Sequence, residues 1–164
     1  MKENSGMDNT HKSESHYTKF VMMLTGSFIV MYVTMYLNTY EIDHVYFSLT
    51  RFYMTCLGIS GMAVIMLLVM INMYKDKKKN VAIILGSLIL FVSALILVRT
   101  QTPIGDELYM KAMIPHHSIA ILTSKTADIK HPEVRKLADE IIIAQEKEIL
   151  EMKELIKRLQ SDNN

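Results

Sequence analysis

From Phe52 to Tyr74 the chain reads FYMTCLGISGMAVIMLLVMINMY, twenty-three residues without a charged side chain. Crossing the roughly 30 Å hydrocarbon core of a bilayer takes about 20 apolar residues in a helix, so this stretch predicts a transmembrane span. Two more stretches flank it: Phe20–Leu37 and Val81–Val98 each run eighteen residues without charge. The expected fold class is all-α, with three transmembrane helices followed by an antiparallel helical hairpin.

The first span does not resemble a cleavable signal peptide. Its apolar run exceeds the ~7–15 residues of a signal core, and no small-x-small cleavage pattern follows, so it is expected to stay as an anchor. Loop charge sets the orientation. Lys75, Lys77, Lys78 and Lys79 fill the second connection, whereas the first, Asn38–Arg51, holds one arginine beside Glu41 and Asp43. Cytoplasmic loops carry the Lys/Arg excess. The lysine loop and the N-terminus are therefore expected inside, and the chain from about Arg99 onward outside.

The chain of 164 residues carries a formal net charge of +1, which gives no global reason to expect nucleic-acid binding. Its single cysteine, Cys56, lies inside the second span and excludes an intramolecular disulfide framework. Any soft-metal site outside must then use methionine. The expected organisation is an unstructured cytoplasmic tail over 1–19, a membrane region over 20–98 and a linker over 99–105 carrying Pro103 and Gly105. A hairpin over 106–160 and a frayed end over 161–164 complete it. The tail's Met7, His11 and His16 are read as solvated.

Within the hairpin, one helix is expected from about Gly105 to Ala127 and another from about Pro132 to Leu159. His131-Pro132-Glu133 is a start signal, because proline suits the first helical position and glutamate the first turn. Leu137, Ile141, Ile142, Ile149, Met152, Leu155, Ile156 and Leu159 recur near a 3.6-residue period on the second helix. Pairing about the turn brings Met113 near Lys147 or Glu148, His117 near Ile143, and Met110 near Glu151 or Met152. Roughly sixty residues in two helices bury too little core to stand alone, so a homo-oligomer is expected.

The chemistry concentrates in Met110-Lys-Ala-Met113-Ile-Pro115-His116-His117. Met110, Met113 and His117 share one helix face, which Asp106 extends. Thioether sulfur favours Cu(I), and imidazole suits copper in either oxidation state. Pro115 falls mid-helix, where it either re-aims the histidines or marks a boundary. By itself a methionine stripe is core packing; the adjacent histidines favour a ligand set of Met110, Met113, His116 and His117. The second helix offers Met152 as a further ligand, with Gln145 and Glu148 placed to orient imidazole N–H groups. Glu41-x-x-His44 in the outer loop makes His44 a weaker metal candidate. The stripe Met62, Met66, Met70, Met73 reads as packing, and Gly58, Ser60 and Gly61 as a point of close helix approach.

The pattern Met113-x-x-His116-His117-x-x-Ala120-Ile121, then Val134-x-x-Leu137-Ala138, then Gln145-x-x-Glu148-Ile149-x-x-Met152 resembles the bacterial domain-of-unknown-function family (number 305). The resemblance covers about Asp106 to Leu159. It implies a two-helix, ferritin-like module of extracytoplasmic copper-binding and copper-tolerance proteins. It also implies metal-binding positions at Met113, His116, His117 and Met152. Thr123 stands where members often carry methionine.

The expected function is copper buffering, sequestration or transfer, with silver as a second cargo, by a protein of the bacterial cytoplasmic membrane. Expected partners are a metal ion, the lipid bilayer, a second copy and a protein that exports or accepts metal. No nucleophile–base pair or phosphate-binding glycine loop appears, so no enzyme is expected. The alternative is a membrane-anchored oligomerisation or docking module without a metal role.

Overall fold

A computed structural model describes residues 4–162, with side chains from residue 15 onward. The described residues contain five α-helices and no strand: α1 (Asn4–Thr34), α2 (Leu49–Val69), α3 (Lys77–Thr100), α4 (Asp106–Thr126) and α5 (Pro132–Asp162). A short 3-10 turn, Ile42–His44, lies between α1 and α2. Three helical segments are long and apolar enough to cross a membrane: Ser15–Thr34, Leu49–Val69 and Lys77–Thr100.

The chain forms two compact units. The first comprises the chain up to Tyr32 and Phe52–Thr100. Here the middle of α1 is fastened to the α2–α3 turn. Tyr17 and Phe20 pack on Tyr74, with ring centroids 5.1 and 5.4 Å away. The Tyr17 hydroxyl donates to Asn80 Oδ1 at 2.7 Å, and Asn80 Nδ2 donates to the Tyr74 carbonyl at 2.7 Å. Where an unstructured tail was expected over 1–19, helix runs from Asn4 and an aromatic cluster holds Tyr17 and Phe20; residues 1–3 lie outside the described residues. The side chains of Met7 and His11 lie outside the described residues.

Gly58 faces the end of Met31, where an added Cβ would stand 2.7 Å from Met31 Cε, whereas Gly61 meets nothing within 4 Å. The close approach expected around Gly58, Ser60 and Gly61 is made at Gly58. The methionine stripe that begins in α2 and runs into the following turn divides, with Met66 and Met70 packed on the aromatic cluster and Met62 and Met73 exposed.

The second unit comprises Val33–Arg51 and the chain from Gln101 onward. The first loop therefore belongs with the hairpin, not with the membrane region to which 20–98 assigned it. Ser118 is the reason. It is fully buried, its Oγ accepts the Tyr40 N–H at 2.7 Å, and it lies 3.0 Å from His44 Nδ1. Lys153 adds a 2.6 Å ion pair to Asp43, and Tyr46 packs on the hairpin core.

α4 and α5 run antiparallel, joined by a five-residue connection. Their seam is Met110, Ile114, Ile121, Ile149 and Ile156, all buried. Helix α4 passes through Pro115 without a break, so the proline is no boundary. At the other end α5 continues to Asp162. There the Ser161 hydroxyl donates to the Arg158 carbonyl at 2.7 Å; of the end expected to fray, 163–164 lie outside the described residues.

The pairing register differs from the one counted about the turn. His117 stands 3.0 Å from Glu148, not beside Ile143, which is 69% exposed. Helical side chains lean toward their own N-terminus. Those of α4 thus lean away from the connection and those of α5 toward it, so each α4 residue meets one further along α5. Leu137 and Leu155, expected on the buried stripe, are 57% and 46% exposed because the seam uses their neighbours Ala138 and Ile156.

Ile149→Ala is expected to destabilise the second unit by about 2–5 kcal/mol, while Leu137→Ala stays within about 0.5 kcal/mol. Thermal melts of the detergent-solubilised chain by circular dichroism test this. Equal losses would contradict the register.

Candidate metal centre

The seam turns the candidate ligands in different directions. Met110 points into the core with Ile114 and Ile149, and is 7% exposed. This is the packing role that a methionine at that spacing has by default. Asp106 is exposed in the first turn of α4, about three turns or ~16 Å along the axis from His117. It is too distant to share an ion with that histidine. His116 is exposed, and its ring centroid lies 6.0 Å from that of His117.

Of the remaining candidates, His117, Glu148 and Gln145 meet. His117 is 13% exposed, and its Nδ1 lies 3.0 Å from Glu148 Oε2. Gln145, one turn earlier on α5, donates from Nε2 to the same oxygen at 3.4 Å. Met113 is half-buried one turn before His117. Met152 is half-buried one turn after Glu148, against the core. Because the helices are antiparallel, both thioethers stand on the side of the imidazole–carboxylate pair away from the connection, one turn along each helix.

The contact between His117 and Glu148 is close without being aligned. Nδ1 is buried and makes no hydrogen bond, although the carboxylate oxygen stands 3.0 Å away. A buried ring nitrogen left without a partner costs about 1–3 kcal/mol. Burial holds His117 below the ordinary imidazole value, Glu148 opposes the shift, and His116 adds to it. The ring is therefore neutral near pH 7, the form that binds a metal.

A second group lies on the other side of the seam. His44, a weak candidate in the sequence, is 6% exposed and held through Nδ1 by Ser118. Burial first, and Lys153 second, keep its imidazole below the ordinary value, against Asp43 and Glu41. Asp43 is held below the usual carboxylate value, chiefly by its hydrogen bond from Lys153. Glu-x-x-His was visible in the sequence, but its burial depends on Ser118, seventy-four residues away. No local pattern announces that contact.

Residues 97–163 match the family model described as Domain of unknown function (DUF305). The chain is also similar to "Uncharacterized protein L153" of Acanthamoeba polyphaga mimivirus, 34% identical over 146 residues. That likeness covers 87% of this chain and 94% of that protein, so most of it lies outside residues 97–163 and reaches into the membrane helices. No solved structure matches.

Ser118→Ala removes the acceptor of the Tyr40 N–H and the partner of His44, and is expected to cost about 1–3 kcal/mol in thermal melts. Acid has a signed effect as well. The folded chain resists protonating His44 and His117, while the unfolded chain takes up those protons below about pH 6.5. Their contribution is fully present above that pH and is lost as pH falls through it. The melting temperature of the metal-free chain should hold from about pH 8 to 7 and fall by about pH 5.5. A flat profile would contradict the buried, neutral rings.

Proposed function

The chain belongs to the family described as Domain of unknown function (DUF305), and on that premise we propose that it is a membrane-anchored copper-binding protein. The observation that carries this reading is the buried, hydrogen-bond-free Nδ1 of His117, 3.0 Å from the Glu148 carboxylate. Met113 and Met152, each half-buried one turn from the pair, offer soft sulfur, which selects Cu(I) over harder ions. His116, exposed beside the site, suits the capture or release of the ion from solvent. Gln145 steadies Glu148.

Three helices long and apolar enough to cross a membrane support an anchoring role, and the lysine excess of the α2–α3 connection favours a cytoplasmic position for that end. The hairpin then lies outside the membrane, in the compartment where a methionine-based site resists oxidation better than a thiolate one. Copper is cargo here, buffered or passed to another protein; silver, equally soft, is a second cargo.

A further observation favours self-association. Val134, Leu137 and Leu155 are 50%, 57% and 46% exposed on the flank of α5 that carries Glu148. A second hairpin laid on that flank would complete a four-helix bundle of the ferritin-like kind.

The full chain in detergent, under reducing conditions, should compete for Cu(I) with a chromophoric chelator. A Met113→Leu, His117→Ala variant should bind at least about tenfold more weakly, and Glu148→Gln about 10–100-fold more weakly. Binding unchanged in both would overturn the copper reading. Replacing Leu137 and Leu155 with glutamate should shift light-scattering mass toward the monomer. An unaltered oligomer would remove this flank as the interface.

A further inference from the structure

We propose that Glu41, Asp43 and His44 form a second cation site, built for a borderline divalent ion such as Zn2+ and separate from the Met/His centre. One donor atom from each residue lies within 4.8 Å of the others. Two exposed carboxylates alone would be an ordinary acidic patch. His44 changes that: its side chain is 8% exposed, and its Nε2 faces Glu41 Oε2 at 3.7 Å and Asp43 Oδ1 at 3.6 Å. Those separations are too long for hydrogen bonds, and Nε2 makes none among the described residues. They fall within a few tenths of an ångström of the ~3.3–3.4 Å between ligands on a tetrahedral ion bound at ~2.0–2.1 Å.

The surroundings brace the three donors. Ser118 holds the opposite ring nitrogen of His44 at 3.0 Å, the device by which proteins orient a metal-ligating imidazole. Asp43 divides its oxygens: Oδ1 faces His44, while Oδ2 accepts from Lys153 Nζ at 2.6 Å. The ammonium therefore stands on the far oxygen and keeps the carboxylate ionised without filling the ligand position. A cavity of about 260 Å³, lined by Glu41, Asp43, His44, Glu146 and Lys153, adjoins the cluster and leaves room for water as a remaining ligand.

The donor chemistry differs from that of the first centre. Two carboxylate oxygens and one imidazole nitrogen, with no sulfur, suit zinc-class divalent ions, whereas thioethers select Cu(I). The two centres would sort ions by hardness rather than compete for one cargo.

The test uses the full chain in detergent, stripped of metal and titrated with Zn2+ against a fluorescent chelator. Wild type should bind one Zn2+ at this site. Glu41→Gln, Asp43→Asn should weaken that binding at least about tenfold, and Met113→Leu, His117→Ala should leave it unchanged. Both amide replacements keep side-chain size, and the metal-free melting temperature reports whether the fold survives. Zinc-edge X-ray absorption should show nitrogen and oxygen scattering with one imidazole and no sulfur. Wild-type affinity in the amide variant, or a sulfur shell, would overturn the proposal.

Discussion

Ile149 wedged against Ile114 and Ile121 is the contact from which the rest of the C-terminal unit follows. Once it is buried, successive residues of an ideal helix diverge by ~100°. His117 and Ser118 straddle the α4 side of the seam, and Glu148 and Lys153 straddle the α5 side. His117 meets Glu148 on one flank, while Ser118 and Lys153 reach the 33–51 loop on the other. One apolar seam thus positions two polar clusters of different chemistry.

Much of this was legible beforehand. Charge-free runs of eighteen or more residues specify membrane-length helices almost independently of context. Pro132 and the 3.6 periodicity set the limits of α5 closely. The identities of His117, Glu148, Gln145, Met113 and Met152 could also be read, because their residue types and helical spacing are local properties.

What was not legible required three dimensions. The register depends on the direction in which side chains lean, and a count about the turn ignores it. Met110 and Met113 carry the same ligand chemistry, yet only burial in the α4–α5 core assigns Met110 to packing. Tyr17 sits in a polar stretch that reads as a tail until Asn80 and Tyr74 close on it. His44 depends in the same way on Ser118, a residue of no evident function in the sequence.

The central claim is that the His117–Glu148 level of the hairpin holds copper between soft and nitrogen donors. Copper-edge X-ray absorption of the Cu(I)-loaded full chain tests it most directly. A sulfur shell beside an imidazole shell, with the sulfur scattering lost in a Met113→Leu, Met152→Leu variant, is the expected result. A spectrum of nitrogen and oxygen neighbours alone, unchanged in that variant, would contradict it.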